Sequence, residues 1–406
     1  CLTFVFSSPK GYAILGRLAS LKWRHLPDQR KLQLRVLNLK GRPVMRPIDH
    51  TLKQTIMRDF GTPCAVIDLD KVEQNIQTAQ RLCAAQGLAN RPHIKTHKSP
   101  ILAKMQIAAG AQGITCQKLG EAEIMADAGI SDIVIATNLL GAARSGRLAA
   151  LQKRVALKVC ADNRVSLTAY AQAAQDAGRP LEVLIECDTG QNRAGVETPQ
   201  QALDLAQVIK DDPNLRFAGL LFYPPLNGWP HTQSFFDAVQ AGLNHLGLIA
   251  GIVSTGGTPN FKNIGQLRGA TEHRAGTCIF NDRMMIAAGF ATQEACAYHV
   301  FTSVVSRAGA ERGILDAGSK TFTSDIGGLD GYGHIIEYPN ARIDKFAEEH
   351  GFLDLSQTAR KPEIGEIVRV IPNHVCVSVN MFDQLVAIRG DQVVACIPVA
   401  ARGKLV

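Results

Sequence analysis

The chain has 406 residues, 46% of them apolar, 20% charged and 6% aromatic, which is long enough for two domains and a large core. That balance excludes a disordered or collagen-like chain, and no uncharged apolar run of about 18 residues is present to span a membrane. The net charge of +8 is concentrated: residues 1–47 hold ten Lys/Arg and one acid, Asp28, and so carry +9, leaving −1 for the rest. A body near neutrality offers no stripe for a polyanion, so neither a nucleic-acid nor a membrane partner is expected.

Ten cysteines are scattered along the chain without a CxxC pair. This pattern predicts free thiols in a reducing cytoplasm, most of them core residues.

The opening CLTFVFSSPKGYAILGRL puts apolar residues before Lys10 and Arg17, the reverse of a secretory signal. An acid-poor, Arg-containing leader fits an organelle transit peptide, or translated upstream sequence with the start at Met45 or Met57; the second reading is favoured. Residues 1–57 are therefore set apart as a leader outside the fold, and a chain starting at Met45 is expected to fold and be active.

From Thr62 the chain alternates short β-rich runs with helical stretches. CAVIDLD (64–70) reads as a strand and residues 71–85 as a helix. Further strands are expected at 92–96, 113–117, 132–137, 156–161, 182–188, 217–223, 251–257 and 273–280, with helical segments such as ILAKMQIAAG and PQQALDLAQVIK between them. Eight β-α units over about 200 residues fit a (β/α)8 barrel over 58–295, with a doubly wound open sheet as the rival. After residue 296 the runs VFTSVVSR, GILDAG, GHIIEYP, EIVRVIP, QLVAIRG and QVVACIPVA are separated by turns, predicting an antiparallel β domain over 296–406.

Two features of the barrel carry chemistry. RPHIKTHK ends the first barrel strand, where a barrel places its active site, and an amine among apolar neighbours there has a depressed pKa and can act as a nucleophile. That amine is Lys95. On the last two strands, Gly256-Gly257-Thr258 and Gly276-Thr277 expose backbone N–H groups and hydroxyls suited to a phosphate dianion. Either loop alone is only a turn; together, opposite a strand-one lysine, they suggest a pyridoxal phosphate site.

Seven stretches in this order, RPHIKTHK, GITCQKLGEAEIM, EVLIECDTGQNRAGV, VSTGGTP, EHRAGTCIFND, ILDAGSK and PNHVC, resemble the fold-type III pyridoxal-phosphate enzymes that group D-threonine aldolase with D-serine dehydratase, distant relatives of alanine racemase. The resemblance covers about residues 58–406. It implies that Lys95 is the Schiff-base lysine, that Gly256, Gly257, Thr258, Gly276 and Thr277 form the phosphate cup, and that Tyr223 is an aromatic hydroxyl near the cofactor. Tyr223 is followed here by Pro224-Pro225, a departure on the substrate side. Arg193 and Arg274 are both candidates for contacts to the pyridine ring, with pairing to Glu186, Asp188 or Glu272 as the plain alternative. Gln117 is a candidate contact to the ring hydroxyl or substrate, and His97, two residues beyond Lys95 and so on the same strand face, a candidate catalytic orienter.

The resemblance also gives weight to His374-Val375-Cys376, a weak pattern by itself. In a strand, residues i and i+2 share a face, so imidazole and thiolate can reach one divalent ion; the thiolate favours zinc, with manganese or magnesium the harder alternatives. Asp316, Lys320, Glu349 and His350 are candidates for supporting groups. The implied activity is lyase chemistry on D-β-hydroxy amino acids, most simply a D-threonine aldolase; D-serine dehydration is the alternative and racemisation a weaker one. Barrel-only relatives that bind pyridoxal phosphate without catalysis lack the C-terminal β domain, which argues against a non-enzymatic role. Family analogy implies a homodimer, and the cysteine pattern a cytoplasmic one.

Overall fold

A computed structural model describes residues 50–406; the expectations for residues 1–49, the start at Met45 among them, lie outside that range. The described chain opens with a helix, His50–Asp59, and strand β1, Cys64–Asp68. Asp68 then caps the helix Leu69–Ala84, its side chain accepting from the N–H groups of Asp70 and Lys71.

Eight parallel strands follow: β2 (Ala89–Asn90), β3 (Ile114–Cys116), β4 (Asp132–Ile135), β5 (Ala156–Ala161), β6 (Leu181–Cys187), β7 (Leu215–Phe222), β8 (Ile252–Gly256) and β9 (Glu272–Arg274). They pair in the order β2-β9-β8-β7-β6-β5-β4-β3. The ring closes beyond the end of β2, where His93 bridges Thr115 and Thr115 N donates to Pro92 O at 2.8 Å. The strands are almost wholly buried because helices cover the outside and side chains fill the inside, which is why they read as continuous apolar runs. The crossover helices start and stop where the sequence signals them. Asn163 caps Arg164–Ala177, which ends at Gly178 with φ +75°, and Thr198 with Gln201 forms a capping box ahead of Pro199–Asp211. On β7, a Cβ at Gly219 would overlap the carbonyl oxygen of Ile252, so only glycine lets β7 and β8 close at that point.

The second body is a mixed sheet. Its strands are β10 (Tyr298–Ser306), β11 (Arg312–Leu315), β12 (His334–Ile335), β13 (Arg342–Phe346), β14 (Gly351–Asp354), β15 (Ile367–Ile371), β16 (Gln384–Arg389) and β17 (Gln392–Pro398). Its main path runs β13-β14-β11-β10-β1-β16-β17, with β15 paired to β10 and β12. Strand β1, expected ahead of the barrel, thus lies in the middle of this sheet, antiparallel to β10 and parallel to β16. The boundary expected at residue 58 is also too late. Leu52 and Ile56, on one face of the first helix, are 1% and 0% exposed and pack against Val66, Phe301, Ile367 and Val386. The sequence before Phe60 hides this because the helix is short and mostly polar. The hairpin β13–β14 was equally hard to read, since RIDKF and GFLD lack a sustained apolar run.

No helix among the described residues is long and apolar enough to cross a membrane, and the described cysteines are free thiols. If the first helix is part of the core, Ile56→Ala should cost roughly 2–5 kcal/mol by the loss of a filled site. Urea or thermal denaturation reads this directly, and an unchanged midpoint would return residues 50–57 to the leader.

Candidate active site

The barrel chain leaves extended geometry at His93, and Ile94–Thr96 form a single 3-10 turn. Lys95 therefore sits on a turn beyond the strand, not on the strand itself. His93 Nδ1 accepts from Lys95 N at 3.4 Å, and its Nε2 meets Gln117 Oε1 at 3.1 Å. The Lys95 side chain enters a cleft of about 210 Å³ at the C-terminal mouth of the barrel. Lys95 is exposed in the cleft, while the surrounding protein partly desolvates it. That desolvation lowers its pKa; Arg193 and Arg274 add to the effect and Cys376 and Glu121 oppose it. The neighbouring Lys98 is instead tied to Glu121 at 3.2 Å.

The turn also moves His97. Its side chain is fully buried, with Nε2 against Gln106 Oε1 and Nδ1 accepting from Ser99 N, both at 3.1 Å. Burial pulls its pKa to about 4. It pins the turn from behind and does not line the cleft, which corrects the expectation that it shares Lys95's face; His93 occupies that position.

The glycine loops close over the same cleft. Gly257 has φ +105°, and a Cβ there would come within 3.1 Å of both Asn260 Nδ2 and the Tyr223 ring. A Cβ at Gly276 would lie 2.7 Å from Thr96 Oγ1 and 2.8 Å from His93 O. Gly257 gives its own N–H to Arg274 O at 2.8 Å, so it shapes the loop, while Thr258, Gly276 and Thr277 line the cleft with it. Gly256 lies just behind, where a Cβ would meet Arg274 Nη2 and Tyr223 at 3.2 Å. Asn260 holds the Pro224-Pro225 segment in place by donating to Pro224 O at 2.8 Å and Gly256 O at 2.9 Å.

Lys95, Arg193 and Arg274 line the cleft with a single carboxylate, Glu186, besides the His374–Cys376 pair. That excess, next to hydroxyl-bearing loops, is a donor set that fits a phosphate-bearing cofactor. Arg274 is buried and directed by its neighbours: Nε donates to Ser254 Oγ and Nη2 to Phe222 O, each at 2.8 Å. Burial lowers the Glu272-opposed pKa of Arg274, and it raises that of Glu186 despite the two arginines nearby. Arg193 is half exposed, lies 4.9 Å above the Tyr223 ring and reaches Glu186 at 3.8 Å. Gln117 lines the cleft, but its amide is engaged at both ends, by His93 and by Ala136 O.

His374 and Cys376 enter from the β domain. They do not lie on a strand: His374 is the extended residue before a short helix, Val375–Asn380. The β-branched run VCVSVN takes a helical turn here. Asp282, 0% exposed, accepts from His374 Nδ1 and from Val375 N, both at 3.0 Å, leaving the other ring nitrogen towards Cys376. A carboxylate on the far nitrogen is the arrangement that orients a metal-binding imidazole. Burial opposes a charge on His374, but its bonds to Asp282 and Cys376 push its pKa up to about 10. Burial pushes the Cys376 thiol up, and His374, Thr96 and Lys95 together outweigh it, so the pKa falls. Thr96 Oγ1 lies 3.2 Å from Cys376 Sγ. The donor set fits one soft divalent ion; among the described residues no three His, Cys, Asp or Glu converge on a common point.

Sequence reasoning missed His93, Thr96, Asp282, Met284 and Met285, although Asp282 stands in the EHRAGTCIFND stretch, and it named Glu186 only as an arginine's partner, which it is for Arg193. The proposed supporting groups lie elsewhere: Asp316 bonds Thr302 and Ser303, and Lys320 pairs with Glu348 and Glu349 on the surface.

Comparison with known proteins agrees with this layout. Residues 67–283 match the alanine racemase N-terminal domain, and residues 297–388 a putative serine dehydratase domain. The chain is 33% identical over 355 residues to a D-threonine aldolase of Arthrobacter sp, covering 84% of this chain and 93% of that one. The structure of D-threonine aldolase from Filomicrobium marinum superposes with a TM-score of 0.80 at 30% identity, covering 85% and 96%. D-threo-3-hydroxyaspartate dehydratase from Delftia sp. HT23 gives 0.77 at 30%, covering 84% and 97%. Structures of that dehydratase include a His→Ala variant and, two positions along, a Cys→Ala variant in the metal-free form. The chain belongs to this family of fold-type III pyridoxal-phosphate lyases, with an alanine-racemase-type barrel and a serine-dehydratase-type second domain.

Proposed function

We propose that the chain is a pyridoxal-phosphate- and divalent-metal-dependent lyase of D-β-hydroxy amino acids, acting as an aldolase on substrates of the D-threonine type. The observation that carries this reading is that Lys95, the Gly257 and Gly276 loops and the His374–Cys376 pair line one cationic cleft. When bound, pyridoxal phosphate supplies an electron sink for charge developing at the substrate α-carbon. Lys95 would hold it, with Thr258, Gly276 and Thr277 around its phosphate and Arg274 and Tyr223 beside its ring. The lowered pKa leaves the Lys95 amine ready to take or return a proton at the α-carbon.

His374 and Cys376 would hold the metal, with Asp282 fixing the imidazole. Two protein ligands leave room for the substrate β-hydroxyl, whose acidity the cation raises. Loss of that proton, cleavage of the Cα–Cβ bond and protonation of the α-carbon give glycine and an aldehyde. The thiolate favours zinc. The dehydratase reading is kept because the Delftia dehydratase pairs a His and a Cys at the same spacing. Loss of the α-proton to Lys95 and of hydroxide in place of C–C cleavage, followed by hydrolysis, would give a keto acid and ammonia. Incubation of loaded protein with D-threonine and D-serine, with and without chelator, separates the two: glycine with aldehyde supports the aldolase, keto acid with ammonia replaces it.

Lys95→Ala should abolish both turnover and the visible absorbance of the loaded protein. A borohydride-reducible adduct surviving in that variant would move the covalent link to another lysine. Because the Lys95 pKa is lowered, more of its amine is free at any given pH below the ordinary lysine range. Capture of pyridoxal phosphate by the cofactor-free protein should therefore saturate at lower pH than capture by a surface lysine; equal profiles would contradict the shift.

His374→Ala and Cys376→Ala should keep the cofactor absorbance and lose bound metal and turnover, by roughly 10–100-fold or more. Cys376→Asp should recover activity with manganese better than with zinc, since a carboxylate prefers the harder ion. Full activity of Cys376→Ala in chelator would leave the pair as packing alone.

A further inference from the structure

The metal reading above places the β-oxygen of the substrate at His374 and Cys376. The β-substituent is attached to the same carbon as that oxygen, so it must lie along the wall beside the pair. Two backbone hydrogen bonds build that wall: Arg283 N donates to Pro372 O at 3.2 Å and Met284 N to Asn373 O at 3.1 Å, which sets Met284 alongside His374. Met284 and Met285 both line the cleft. The Met284 methyl is backed by Gly327, where a Cβ would overlap it, and Asn373 Nδ2 holds the loop carrying Gly327 by donating to Gly331 O at 2.9 Å and Asp325 O at 3.3 Å.

The arginines near this wall are committed elsewhere. Arg283 turns away, with Nη1 on Asn373 Oδ1 at 2.6 Å and Gly331 O at 3.3 Å and Nη2 on Asp330 O at 3.0 Å. Arg274 spends two of its nitrogens on Ser254 and Phe222, and Arg193 lies over Tyr223 beside Glu186, where it suits the α-carboxylate. On the Met284 side a carboxylate on the β-carbon would be desolvated against a thioether with no arginine free to pair it, and it would compete with the β-oxygen for the cation, whereas a methyl or aryl group gains by the same burial.

We propose that Met284 sets the substituent specificity of the site, selecting D-β-hydroxy amino acids with an uncharged β-substituent over those with a carboxylate. This rests on the lyase reading, and the test keeps the two apart. With enzyme loaded with pyridoxal phosphate and zinc, binding of D-threonine, D-β-phenylserine and 3-hydroxy-D-aspartate is followed by the change in cofactor absorbance on rapid mixing, and kcat/KM by glycine release. The wild type should favour D-threonine over 3-hydroxy-D-aspartate by about 10-fold or more in both measures. Met284→Lys should move that ratio towards 3-hydroxy-D-aspartate by a similar factor, and Met284→Ala should raise D-β-phenylserine relative to D-threonine. Equal binding of D-threonine and 3-hydroxy-D-aspartate by the wild type, or Met284 variants that change every substrate by one factor, overturns the proposal. Absence of glycine from all three substrates overturns the aldolase reading instead, while the binding ratios still decide the role of Met284.

Discussion

The site depends on one close approach of backbone to backbone. Arg91 N donates to His273 O and His93 N to Ala275 O, both at 2.9 Å, so the Lys95 turn is zipped to the segment that follows the last barrel strand. At the end of this zipper stands Gly276, where any side chain would strike Thr96 and the carbonyl of His93. The absence of a Cβ there lets a phosphate-type loop, the Lys95 amine and, through Thr96, the Cys376 thiol occupy one small volume. Shape and charge meet at the same place: the protein packed around Lys95 partly desolvates it, and that desolvation is the largest cause of its lowered pKa.

A second constraint ties the two bodies to that point. Asp282 follows the last barrel segment, is fully buried, and could not remain there as a carboxylate without donors. It has three: Met285 N at 2.9 Å on one oxygen, and Val375 N and His374 Nδ1 at 3.0 Å on the other. The first caps a barrel-side helix and the other two belong to the β domain. Strand β1 works in the opposite direction, carrying the N-terminal part of the described chain into the middle of the second sheet before the barrel begins. His374 and Cys376 are therefore positioned by satisfied buried polar groups on both sides of the junction.

The barrel was legible from the sequence because strands buried on both faces must be apolar throughout, and the helices between them carry their own caps. That Lys95 and the glycine loops meet was legible because the segments following the strands of a barrel converge at its C-terminal mouth. What escaped is non-local or very short. No periodicity separates an extended RPHIKTH from one that breaks into a three-residue turn, so His97 was placed beside Lys95 when His93 belongs there. VCVSVN has the composition of a strand and forms a helical turn because Asp282, 93 residues earlier than Val375, accepts its first N–H. Strand β1 looks like any barrel strand, and only its partners β10 and β16, more than two hundred residues away, assign it to the other sheet. Met284 is one apolar residue among many until its backbone bond to Asn373 brings it beside His374.

Beneath the cleft, the barrel interior holds a chain of charges: Lys158 and Arg91 meet Asp132, Arg91 Nε meets Glu272 at 2.7 Å, Glu272 accepts from Ser254 at 2.8 Å, and Ser254 accepts from Arg274. Buried ion pairs add little net stability, because removing two charges from water costs several kcal/mol per ion and good geometry only offsets it. Breaking such a pair is another matter, since the remaining charge stays buried without a partner. Arg274 alone would be a poor candidate for a fixed cation in a barrel core: desolvation lowers its pKa, and Glu272, Glu186 and Cys160 work against that. The Ser254 hydroxyl fixes the direction of the guanidinium, and Glu272 balances its charge while being balanced in turn by Arg91. A leucine core would have filled the same volume, but it would have left the mouth of the barrel without a rigid cation at the point where the cleft gathers its positive charge.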